Sequence, residues 1–188
     1  MEIHSTWLEL RPRFESQERR EPFEKYHARI NSIAHLKEIP MEVLRYWLWE
    51  HTYERHNIAN YGWIDYRNVV FEHCQWGVNP LCKVTAIKDF RPYFTNRSSY
   101  TDFDQFSCIS KDLLHWKEKG TWRIPPVILD VNSIGLPRPT WSELTPPFQL
   151  VEGHSRLGYL NSMKTIHDLG KGTIANNHWI YLMKMRIS

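Results

Sequence analysis

Five consecutive residues, Glu152, Gly153, His154, Ser155 and Arg156, bring an acid, a glycine, an imidazole, a hydroxyl and a guanidinium into one short stretch. Two kinds of chemistry use such a set. In the first, a strand runs into Gly-His-Ser and then a helix, the sharp turn by which a hydrolase exposes a serine hydroxyl. Leu157 departs from that pattern, which needs a small residue so that helix and strand can approach. Asp168 and His178 follow the serine, but a sheet of the size that fold requires does not. In the second, the backbone N–H groups at a helix N-terminus point outward, the helix dipole favours an anion there, and Gly153 lets the backbone come close. Arg156 can fork onto phosphate oxygens, and His154 and Ser155 can donate to the same group. Glu152 can hold magnesium, orient a hydroxyl or take a proton from it. The set can also be inert, with Glu152 and Arg156 compensating each other across one helical turn.

The flanking residues must supply the strand and the helix. Phe148, Leu150 and Val151 read as a short buried strand that ends at Gly153, after which Leu157, Tyr159, Leu160 and Met163 recur at helical spacing. Upstream, "RIPPVILDV" has the β-branched run of a buried strand, and "NHWIYLMKM" reads as a final one. The N-terminal part is predicted to be mostly helical. Glu21-Pro22 opens a helix with Phe23, Tyr26, Ile30 and Ile33 on one stripe, and a second starts at Pro40 with Val43, Leu44, Trp47, Leu48 and His51 on one side. Asp65 reads as the cap of a third helix carrying Val69, Val70 and Phe71, with a strand as the alternative. The stretch from Pro80 to Ser107 reads as a packed-down loop or two short elements. Ser110 then caps "KDLLHWKEK", and Gly120 ends that helix in the left-handed conformation.

At 188 residues the chain is long enough for one domain with its own core. The expected layout is a single α+β domain, with 1–121 as a mostly helical part and 122–188 as a strand-turn-helix nucleotide-binding core. A net charge of +3, from 24 basic residues interspersed with 21 acidic ones, allows nucleic acid without indicating it. The start of the chain does not resemble a secretory signal and no segment suits a bilayer, so a soluble, cytoplasmic protein without a membrane partner is expected. Cys74, Cys82 and Cys108 lack CxxC spacing and read as packing residues. His51, His56 and His73 have no recognised metal-ligand spacing, which leaves any metal site unknown. The nine tryptophans read as core more readily than as base-stacking groups.

"LVEGHSRLGYL", preceded by "PPVILDV", resembles the signature turn of the ParB/sulfiredoxin-like superfamily over approximately Trp122 to the C-terminus. Against an Asp-Gly-His-His-Arg variant, Glu152 stands for the acid, Gly153, His154 and Arg156 match, and Ser155 departs. The resemblance implies a small mixed sheet with flanking helices that binds ATP, ADP or CTP through this turn. Gly153, His154, Ser155 and Arg156 would then hold the nucleotide, and Glu152 and His154 would be the catalytic candidates. Magnesium-dependent hydrolysis, phosphoryl transfer and nuclease action all occur among relatives. The absence of a cysteine from the turn argues against sulfinic acid reduction. The missing second arginine, with no recognisable helix-turn-helix, argues against a chromosome-partition clamp. Short stand-alone members, including plasmid fertility-inhibition and phage-defence proteins, are the nearest analogues. The competing expectation is a non-catalytic inhibitor, antitoxin or immunity-type protein that uses the same scaffold to meet a protein partner.

Overall fold

In the computed structural model the described residues are 2–16, 19–135 and 137–186. They form a mixed α+β protein with one four-stranded sheet. The chain groups into two compact units. One comprises Met1–Phe71, Ser133–Leu144 and Met183–Ser188, and the other Glu72–Asn132 and Thr145–Leu182.

The first unit is built on aromatic side chains carried by short helices. Helix α1 (Ser5–Leu10) was not foreseen, because six residues are too few for a periodic stripe. Helix α2 (Phe23–Asn31) starts where the Glu21-Pro22 pair predicts, with Pro22 as its N-cap. The helix expected after Pro40 also forms. It runs as α over Met41–Val43, π over Leu44–Leu48 and α over Trp49–His51, and buries Val43, Leu44, Trp47 and Leu48. A further helix, α3 (Arg55–Tyr61), follows. Trp47 stands edge-on to Tyr61 with ring centroids 5.5 Å apart, and its indole N–H donates to the Asn57 side chain at 3.0 Å. Such pairs add specific geometry to apolar burial. Glu21 lies at 1 % exposure. Its Oε1 accepts from Arg29 Nη2 at 2.5 Å and from the Arg13 amide at 2.7 Å.

Asp65 does cap, accepting from the Arg67 amide at 3.1 Å, but only a single 3-10 turn over Tyr66–Asn68. Val69, Val70 and Phe71 then open strand β1 (Val69–Gly77), so the strand alternative holds and the third helix does not. Three β-branched or aromatic residues in a row favour extended backbone once the turn has closed.

The second unit contains strand β2 (Val127–Asp130), strand β3 (Phe148–Glu152) and most of strand β4 (Asn177–Met185), each falling where the sequence places it. The sheet order is β1-β4-β2-β3, with β2 and β3 antiparallel. The segment between Pro80 and Ser107 is more ordered than a loop. It holds the end of a helix over Val78–Leu81, 3-10 turns over Lys88–Phe90 and Phe103–Gln105, and helix α4 (Arg91–Arg97). Pro92, in the first turn of α4, is tolerated there because its missing N–H would have no partner anyway. Helix α5 (Ser110–Lys119) begins at Ser110 itself, with Ile109 as the N-cap and no side-chain capping bond, so the expected serine cap is absent. Gly120 ends it at φ +62°, as predicted. Helix α6 (His154–Asp168) is the longest, and its Leu157, Leu160, Met163 and Ile166 join Trp116, Trp122, Ile128, Leu150 and Ile180 in one buried cluster. Of the three cysteines, Cys74 and Cys108 are half-buried and Cys82 is exposed, so packing describes only the first two.

Candidate functional site

The five-residue turn lies between β3 and α6, as its change of apolar period predicts. Gly153 is the N-cap of α6 at φ +101°, a conformation open to glycine at little cost. A second constraint acts on the same residue. A Cβ built on it would stand 2.6 Å from the Pro126 Cβ, just before β2. The strand pairing contributes as well. Val127 pairs with Glu152 whereas Ile128 pairs with Leu150, so the register slips and Val151 is the extra residue. A bulge of this kind turns the strand and re-aims the side chain that follows. Here that residue is Glu152.

The first intrahelical donor of α6 is Leu157, whose amide bonds to the Gly153 carbonyl at 2.9 Å. The amides of His154, Ser155 and Arg156 precede it at the positive end of a 15-residue helix. Gly153, as the N-cap, has no side chain with which to accept from them. His154 packs its ring on Phe90, with centroids 4.4 Å apart. Helix α4, which follows Phe90, runs beside α6. Gly158 sits with its missing Cβ 2.6 Å from the Arg97 Cβ, and Ser162 Oγ donates to the Arg97 carbonyl at 2.6 Å.

Glu152 and Arg156 are bonded to each other: Arg156 Nη2 donates to Glu152 Oε2, and both side chains are about four-fifths buried. The guanidinium folds back over Gly153, with its Nε and Nη2 each 3.2 Å from where a Cβ of that glycine would be. The Arg156 Nε is itself buried without a hydrogen-bond partner among the described residues. Compensation of these two residues by each other was one of the alternatives, and they do pair, but from the end of β3 to the first turn of α6 and not along one helix.

All five candidate residues, Glu152, Gly153, His154, Ser155 and Arg156, are thus contiguous at one helix end. Asp168 lies at the opposite end of α6, and His178 is fully buried on β4, where its Nδ1 meets Thr121 Oγ1 at 2.8 Å. Burial pushes the His178 pKa down to about 4, so its imidazole is neutral at ordinary pH. The serine-hydrolase order therefore has no spatial counterpart. Sequence reasoning missed Phe90 and Pro126, which shape the turn. Aromatic "DFRPYF" was a signal that its segment packs down, but not onto what.

Among the described residues, no group of three or more His, Cys, Asp or Glu could hold a metal ion. Nor is any helix long and apolar enough to cross a membrane. Comparison with protein-family models, curated proteins and solved structures gives no match.

Proposed function

We propose that the Glu152–Arg156 turn binds the phosphates of a nucleotide, ATP, ADP or CTP, in a domain similar to the ParB/sulfiredoxin-like superfamily and acting in the cytoplasm. The observation that carries this reading is the left-handed Gly153 between a buried strand and the start of a 15-residue helix. The glycine lets the turn close against Pro126 and reverse directly into the helix, whose first amides lie ahead of its own ladder. Phosphate oxygens accept from the amides of His154, Ser155 and Arg156 and from the Ser155 hydroxyl, with Arg156 as the forked cation. Magnesium, where required, comes with the phosphates, and Glu152 is the carboxylate at the turn able to meet it. Glu152 and His154 are then the candidates for proton transfer in hydrolysis, phosphoryl transfer or nuclease action.

One observation favours a second reading. Because Glu152 and Arg156 satisfy each other, the turn can be a self-contained junction in a non-catalytic inhibitor, antitoxin or immunity-type protein. A thermal-shift panel of ATP, ADP, CTP and GTP with magnesium separates the two. A ligand that binds only the folded chain raises the melting temperature with concentration. Nucleotide binding supports the first reading, and a flat response to all four leaves the second.

A further inference from the structure

Trp179 departs from the packing role expected of the tryptophans. In the neighbouring strands β1 and β4, Cys74, Trp76, Ile180 and Leu182 pack in or against the buried cluster of the second unit. Side chains alternate along a strand, so His73, Gln75 and Gly77 of β1 and Asn177, Trp179 and Tyr181 of β4 lie on the opposite face. The contacts agree. The His73 ring stacks on the Trp179 indole, with centroids 4.4 Å apart and planes at 20°, and its centroid is 4.9 Å from that of the Tyr181 ring. Asn177 Oδ1 is 4.0 Å from where a Cβ of Gly77 would stand, which places this amide beside the notch that the glycine leaves. His73, Gln75 and Asn177 are exposed. Trp179 is 46 % exposed although His73 covers one side of it, so the open surface is its other side and its edge. None of the residues on this face is an Asp, Glu, Lys or Arg.

We propose that this face binds a neutral carbohydrate, with one side of a sugar ring against the Trp179 indole and its hydroxyls at the Asn177 and Gln75 amides. The inference is independent of the nucleotide reading above. A sugar ring carries C–H groups on one side, which meet the negative face of an indole. Its hydroxyls both donate and accept, as a carboxamide does. Charge selects the same class, because complementary potentials decide which partners a surface admits. A nucleotide's phosphates, or an acidic or basic peptide, would find no counter-charge among these side chains, whereas a polyhydroxyl ligand needs none. The His73 stack holds the indole in place before binding, so little side-chain freedom is lost when a ring settles on it. Gly77 lets the edge of that ring approach the backbone.

Titration of the full chain with maltotriose, cellotriose and chitotriose, followed by NMR of the indole N–H signals, tests the site. The Trp179 signal is identified by its loss in Trp179→Phe, and adenosine serves as an uncharged ring of another class. The expected result is that at least one trisaccharide shifts the Trp179 signal saturably. Trp179→Ala should weaken that binding by about tenfold or more, as for an aromatic anchor at the centre of an interface. Trp179→Phe should retain most of it, and Asn177→Ala should weaken it at an unchanged melting temperature. If Trp179→Ala melts well below the parent, Asn177→Ala and Gln75→Ala, at exposed positions, carry the comparison. A Trp179 signal that none of the trisaccharides moves overturns the proposal, as does binding that these variants leave equal to the parent's. A response to adenosine alone overturns the carbohydrate assignment.

Discussion

Gly153 stands at φ +101° with the Pro126 Cβ 2.6 Å from the place its own Cβ would occupy, so both its backbone and its surroundings exclude a side chain. Gly153→Val is expected to cost roughly 1–3 kcal/mol from backbone strain alone, with the clash against Pro126 added. Urea unfolding reads this as a lower midpoint at unchanged slope. A midpoint equal to the parent's would show that the turn relaxes around a side chain. Arg156 differs, because its partner is a carboxylate about four-fifths buried and the proposed role of its charge is to hold a ligand. Arg156→Ala should weaken nucleotide binding roughly ten- to a hundredfold, as expected for losing a charged hydrogen-bond donor worth about 1.5–3 kcal/mol. Arg156→Lys keeps the charge and loses the fork. Its melting temperature should stay near the parent's while its affinity falls between the two. Equal affinity in all three proteins would remove Arg156 from the binding surface.

Among the elements, Glu21 just before α2 and His178 on β4 are buried ionisable groups whose environments set a pH dependence. Burial alone would raise the Glu21 pKa, but the Arg29 guanidinium and the Arg13 amide outweigh it and hold the carboxyl below its ordinary value of 4.5. A carboxyl depressed in the folded state contributes stability above its unfolded pKa, and that contribution is lost as pH falls through the folded value. Arg29→Ala leaves this carboxylate buried and unpaired, at a cost of roughly 3–5 kcal/mol at neutral pH. The loss should shrink in acid as Glu21 protonates, a trend that denaturation at several pH values would check. His178 on β4 titrates the other way in charge but with the same sign of slope. Its pKa of about 4, against an ordinary 6.5, means that only the unfolded chain takes up the proton between those values. Stability should therefore fall by up to about 1.4 kcal/mol per pH unit as pH drops from 6.5 towards 4. His178→Gln should flatten that part of the profile, and an unchanged slope would mean that other groups set it.

The same scale explains what the sequence revealed. The strands β2 and β3 were legible as apolar runs that follow prolines, β4 as the apolar-rich run "NHWIYLMKM", and the switch to α6 as a change of apolar period at Gly153. Strand β1 was ambiguous because "VVFEHCQWG" neither alternates cleanly nor is wholly apolar, and its burial is correspondingly mixed. Helix α4 was hidden in a segment rich in Ser, Asn and aromatics, where packing against Gly158 of α6 supplies what local propensity does not. At the turn, the five residues and their strand-to-helix setting could be read in advance. The Val151 bulge and the contacts of Phe90 and Pro126 depend on residues distant in sequence, and no local pattern encodes them.

For the molecule as a whole, a net charge of +3 spread among 24 basic and 21 acidic residues gives no broad field to capture a polyanion. The proposed anion binding therefore rests on one small turn instead of on a basic surface. A nucleotide should bind with modest salt dependence, in contrast to the steep dependence of nucleic-acid binding through many phosphate contacts. Calorimetric titration of the unaltered chain with ATP, ADP, CTP and GTP in the presence of magnesium tests that assignment most directly. The predicted result is saturable binding of at least one nucleotide, weakened in Arg156→Ala. The absence of heat and of any melting-temperature shift for all four would contradict it.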